Sequence, residues 1–216
     1  VRNNNHETYE LAVTSPAFRT VFERLIPILI GLTFWIVGNL VLAFSRQGLT
    51  PILFFLACQS AAISLSSGAI SSYSPDWMKV LLHIGLIWAG AFVVNLHFVF
   101  PVKSIRRITR TAAFVIVGVA ILISLIFIIG YLVSNQFLSN GIIWWITLFI
   151  LVSDLSGAVI LLSQAYRKAT KVKERHEAGI IILAGIIGIS PTIVFSIIPI
   201  LISGYPLLPP HYSLLS

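Results

Sequence analysis

The stretch AAFVIVGVAILISLIFIIGYLV, Ala112 to Val133, holds 22 residues without one charge. About 20 helical residues cross a hydrocarbon core of ~30 Å. Its Ile and Val favour strand in water, but backbone groups in lipid must be bonded internally, so length and solvent decide for helix. Five further apolar runs have this character: Phe22–Phe44, Thr50–Ser71, Met78–Phe100, Gly141–Tyr166 and Gly179–Ser203. A transmembrane barrel calls for alternating segments of ~10 residues, a pattern not found here. The fold expected is an all-α, polytopic transmembrane helix bundle of about six spans with short loops.

The whole chain agrees with that reading. Of 216 residues 57% are apolar and 10% charged, against about a quarter charged in a soluble domain. The net charge of +7 raises the question of nucleic acid, and the placement of the charges answers it. Ten of the fourteen basic residues lie in three loops: Arg46; Lys103, Arg106, Arg107 and Arg110; and Arg167, Lys168, Lys171, Lys173 and Arg175. No aromatic stripe accompanies them, so the expectation is membrane orientation and no nucleic-acid partner. The positive-inside rule puts these loops in the cytoplasm and the N-terminal end outside. Tyr73, Trp77, Tyr131, Trp144, Trp145 and Tyr205 gather at the outer ends as an aromatic belt.

Residues 1–20 are polar, with an alternating run at Tyr9, Leu11 and Val13. They read as the last strand and linker of a preceding extracytoplasmic domain. Residues 21–203 form the membrane domain. Residues 204–216, with Pro206, Pro209 and Pro210, read as an extracytoplasmic loop leading to a further, truncated span near Leu214. Both ends are expected to be cuts in a longer protein.

Asp154 is the one acid deep inside a span. A charge at mid-membrane costs ~2.5–3.5 kcal/mol on insertion scales, so its carboxyl must face protein or water. It is either a proton-linked or ligand-sensing switch, or a neutral carboxyl bonded to Ser or Asn of a neighbouring helix. His83 and His97 share the third span, roughly 21 Å apart along the axis, too far to share a metal. His97 and Asn95 near the end of that span are signal-sensing candidates; the plainer role for the histidines is interhelical or headgroup hydrogen bonding. Ser60, Ser64 and Gly68 place small groups on one face of the second span, and Gly85 does so on the third. Such faces let helices approach closely, and Ser60 and Ser64 are also candidates for a ligand groove. Pro191 and Pro199 free carbonyls in the sixth span and mark a hinge or a packing kink. Cys58 is a lone thiol in an apolar run, a core residue without a disulfide or metal role. No nucleophile with its base, phosphate-cradling loop or carboxylate pair occurs, so no catalytic residue and no cofactor is expected in this stretch.

Two passages carry a family resemblance. One is Leu96-His97-Phe98-Val99-Phe100-Pro101 with its basic continuation. The other runs through Ala165-Tyr166-Arg167-Lys168-Ala169, Lys173-Glu174-Arg175, Gly185-Ile186-Ile187-Gly188-Ile189-Ser190-Pro191 and Ile198-Pro199-Ile200-Leu201. Both resemble the multispan input region of ComP-like bacterial sensor histidine kinases, and Val1–Pro16 is similar to the end of the PDZ-like domain that some members carry. The resemblance implies a sensory input module of a two-component system, a homodimer in the lipid bilayer. It implies a seventh span and then a cytoplasmic kinase domain using ATP and Mg for autophosphorylation, with a response regulator as partner. A small polytopic transporter or permease is the alternative, although no convincing repeat links the two sets of three spans.

Overall fold

A computed structural model describes residues 18–45, 48–71, 77–100, 107–134, 141–169 and 171–192. The N-terminal strand reading, Pro199 and the loop at 204–216 lie outside the described residues. Within them the chain forms six α-helices and no strand. These are α1 (Phe18–Phe44), α2 (Leu49–Ile70), α3 (Trp77–Val99), α4 (Arg107–Val133), α5 (Gly141–Lys168) and α6 (Val172–Thr192). Five of them, α1 to α5, are long and apolar enough to cross a membrane, which makes the chain an all-helical, multi-pass membrane protein. The sixth expected span is described only to Thr192, so the described part of α6 is its polar start and first apolar turns.

Two helices begin well before their apolar runs. α4 opens at Arg107 rather than Ala112, and α6 at Val172 rather than Gly179. The added residues are mainly Arg, Lys, Glu and Ala, good helix formers in water as well as in lipid. Hydropathy marks where a helix enters the membrane, and propensity marks where it starts.

α3 is the centre of the bundle. It packs against α2, α4 and α5, whereas α1 packs on α2, and α6 on α5. Burial follows: 39% of the apolar window of α3 is buried, against 11% for α1. The main core cluster lies where α3, α4 and α5 meet, built from Val80, Ile87, Ala91, Ala120, Phe127 and Ile143. The outward faces carry large apolar side chains, such as Phe114, Leu132 and Val133 on α4. In lipid that exposure costs nothing, because acyl chains are as apolar as leucine.

The same equality removes the hydrophobic drive between helices, so association rests on close van der Waals packing at small residues. A Cβ at Gly85 would lie 2.9 Å from the Ser64 Cβ and backbone nitrogen and 3.0 Å from the Ser60 carbonyl oxygen. Ser60, Ser64 and Gly85 therefore form the α2–α3 crossing, and Gly68 lies farther along it, against Leu82. The α1–α2 contact is built alike: Gly31 sits on Ala62 and Ser66, and Gly38 on Cys58, Gln59 and Phe55.

The backbone atoms facing Gly85 cannot yield to a methyl group. Gly85→Ala is expected to destabilise the protein by about 1–3 kcal/mol, as overpacking does. Gly118 of α4 has nothing within 4 Å of its Cβ position, so Gly118→Ala should be neutral or stabilising by up to ~1 kcal/mol. Unfolding of the two purified variants in mixed micelles with increasing dodecyl sulfate checks the contrast.

Candidate functional site

Polar side chains inside the spans mostly bond to their own helix. Thr33 Oγ1 donates to the Leu29 carbonyl at 2.9 Å, Asn39 Nδ2 to Trp35 at 2.7 Å and Asn95 Nδ2 to Ala91 at 2.8 Å. Bonding back one turn satisfies a polar group without a partner helix. Asn95 is buried and engaged in this way, so one of its amide protons is already committed.

Among the described residues, His83 and Trp88 of α3 each form a side-chain bond to another helix. His83 Nδ1 lies 2.9 Å from Thr147 Oγ1 of α5. The Thr147 hydroxyl gives its one proton to the Ile143 carbonyl at 3.0 Å, so it accepts from His83, which must carry its proton on Nδ1. The imidazole also meets Phe127 of α4 and Trp144 of α5 edge-on, at centroid distances of 5.6 and 5.5 Å. One side chain thus ties three helices together. One and a half turns along α3, Trp88 Nε1 donates to Ser124 Oγ of α4 at 3.1 Å.

Asp154 is placed differently. It comes from α5 at half-buried depth and lies across Gly90 of α3. A Cβ on Gly90 would stand 2.9 Å from Asp154 Oδ2 and 3.0 Å from its Cβ. Only a glycine leaves room for the carboxyl here. No hydrogen bond or ion pair reaches that carboxyl among the described residues, from Ser, Asn or any other side chain. Two polar side-chain atoms in the spans are fully buried without a partner among the described residues, Gln59 Nε2 and His97 Nδ1.

Gly90 has a second neighbour, an apolar groove of about 470 Å3. Phe34 and Val37 of α1 form one wall and Leu151 and Leu155 of α5 the other, with Ala57 and Ala61 of α2 and Val93 of α3 as the floor. α1 and α5 do not pack on each other along it, so the groove separates them. The structure therefore brings Asp154 to the edge of an apolar groove at the α3–α5 crossing. Ser60 and Ser64 lie at the α2–α3 crossing instead, His97 near the last turn of α3, and Pro191 within α6, its side chain outside the described residues. No cluster of three or more metal-ligating side chains occurs among the described residues.

Sequence reasoning did not identify Gly90, Thr147, Trp88 or Ser124. The signals were present: the one threonine of α5, a lone serine in the apolar run of α4, and a glycine seven residues after His83 on nearly the same helix face. Comparisons with protein-family models, with curated proteins and with solved structures gave no match.

Replacing Thr147 by Val keeps its shape and strands the buried His83 N–H. The expected cost is about 1–2 kcal/mol, and a double-mutant cycle with His83→Phe should return a coupling of about 0.6–1.7 kcal/mol, the range of interhelical bonds in lipid. Thr33→Val, which removes a bond within one helix, should have a smaller effect in the same unfolding assay.

Proposed function

We propose that this chain is the membrane-embedded sensory input module of a two-component sensor histidine kinase. The observation that supports it most is the α3–α5 crossing, where an intramembrane carboxyl rests on a glycine without a donor, beside an apolar groove. An intramembrane acid that supplies no structural bond favours a functional role. Its preferred neighbours change with protonation, and a stimulus that stabilises one packing of α5 on α3 more than another shifts the balance between them.

α5 supplies the route outward. It runs unbroken from Gly141 past Asp154 to Arg167 and Lys168, then turns into α6. On this reading the basic end faces the cytoplasm, and the bias reaches an output domain through the last span. The output domain supplies the ATP-dependent autophosphorylation, and a response regulator receives the phosphoryl group.

Asp154→Asn preserves the shape and removes the titrating proton. In the full-length protein it should shift basal output by about fivefold or more and abolish any response of that output to pH. A transcriptional reporter in cells held at stepped pH reads both; unchanged output with an unchanged pH response removes Asp154 from the mechanism. Acid-labile, ATP-dependent phosphorylation of the full-length protein in membranes tests the kinase assignment itself. No such labelling, together with solute flux in reconstituted liposomes that Asp154→Asn abolishes, makes the protein a transporter instead.

A further inference from the structure

The turn between α5 and α6 holds a second cleft, independent of the α3–α5 crossing. It has a volume of about 400 Å3 and is lined by Tyr166 at the end of α5 and by Val172, Arg175, His176, Gly179, Ile180 and Leu183 of α6. The six α6 residues recur at intervals of three and four, so they form one face of the helix. The face is graded along its length. Arg175 and His176 lie in its first turns, followed by Gly179, which meets the Tyr166 ring edge, and by the exposed Ile180 and Leu183.

Arg175 is held in place. Its guanidinium carbon stands 4.9 Å from the centre of the Tyr166 ring, a stacking that fixes the plane of the fork and leaves its N–H edges free. The nearby carboxylates are engaged elsewhere: Glu174 pairs with Lys171 at 3.7 Å and Glu177 with Lys173 at 3.9 Å. Helical periodicity carries both glutamates to the side of α6 away from the cleft. Between residues 167 and 177 five basic side chains face two acidic ones. Arg167, Lys168 and Arg175 have no carboxylate partner among the described residues.

A cationic, planar donor at the level where a helix leaves the membrane, followed one turn deeper by exposed apolar side chains, complements one class of molecule. We propose that this cleft binds an anionic phospholipid of the adjoining leaflet. The phosphate is recognised by the Arg175 guanidinium, and an acyl chain lies over Gly179, Ile180 and Leu183. Gly179 borders the groove beside the Tyr166 ring, whose edge is 3.5 Å from its Cβ position, an ordinary contact distance. Tyr166 itself is the amphipathic ring that interfaces favour.

The test uses the whole chain in phosphatidylcholine vesicles, with trace spin-labelled phosphatidylglycerol or spin-labelled phosphatidylcholine. The motionally restricted fraction of each label gives the selectivity. The wild type should prefer phosphatidylglycerol, and Arg175→Gln should lose about fivefold of that preference, the effect of one well-placed basic residue near a lipid surface. Lys173→Gln removes the same charge from a side chain that does not line the cleft and pairs with Glu177, and should change it by less than about twofold. Arg175→Lys, which keeps the charge without the planar stack, should fall between, and it serves if the glutamine variant does not fold. Equal affinity of the wild type for both lipids overturns the proposal. So do equal losses in Arg175→Gln and Lys173→Gln, which mark a diffuse charge effect. Displacement of the labelled lipid by millimolar inorganic phosphate at constant ionic strength also overturns it, because the site then takes a free anion and not a lipid.

Discussion

Helices in lipid gain nothing by hiding leucine from leucine, so this bundle depends on how closely α3 lets its neighbours approach. Gly85 admits the backbone of α2 and Gly90 admits Asp154 of α5, five residues apart on a helix that turns 100° per residue. The five-residue step directs the two approaches to different sides of α3. A side chain at Gly85 would push the backbone of α2 outward, and one at Gly90 would displace the Asp154 side chain from its place against α3. The α1–α2 pair repeats the solution with Gly31 and Gly38 at a seven-residue spacing, which keeps both on one face.

Polar side chains then divide by whether their own helix can satisfy them. Threonine and asparagine reach back one turn and need no neighbour, so Thr33, Asn39 and Asn95 say little about tertiary structure. Two ring nitrogens bond across helices instead, His83 to Thr147 and Trp88 to Ser124. A carboxyl oxygen has no N–H in its own helix to accept, because every interior amide is already bonded at i−4. It must find a donor elsewhere, keep a proton or meet water. At the α3–α5 crossing it meets a glycine that offers no donor beyond its engaged backbone, which sets it apart from the bonded side chains of Thr33, Asn39, His83, Trp88, Asn95 and Thr147.

How much of this was legible in the sequence follows from the range of each effect. Span existence is a local property, and the run from Ala112 to Val133 declares it alone. Small-residue faces are also local, so Ser60, Ser64, Gly68 and Gly85 could be singled out before their partners were known. Pairings are not local. Choosing Thr147 rather than Ser153 or Ser156 as the acceptor for His83 requires the vertical register of α5 on α3, and hydropathy does not encode register. The apolar groove was invisible for the same reason. Its walls belong to α1 and α5, which are separated by three helices in sequence, and it exists because those two do not pack together. Helix starts at Arg107 and Val172 were missed on different grounds, since the apolar run ends at the membrane while charged helix formers continue the helix beyond it.

α5 connects the two places where this protein has chemistry to offer. Asp154 and Tyr166 are twelve residues apart, or ~18 Å along one uninterrupted helix. A helix of that length moves as a rigid body, so a change of tilt by roughly 10° about the Gly90 contact displaces the Tyr166 end by ~3 Å. That displacement is comparable to the width of the gap in which an arginine stacks on a tyrosine. A ligand that held the α5–α6 cleft against such a pivot would therefore also bias the α3–α5 crossing. By linkage, any shift in the crossing changes the cleft's affinity by the same factor. The coupling needs no chain of intermediate side chains, because the two sites share one element, and the only requirement is that α5 can pivot. The groove beside Gly90 provides the space for it: with α1 and α5 unpacked from each other, α5 can lean toward α1 without displacing the core that α3, α4 and the start of α5 form around Ile87 and Ile143.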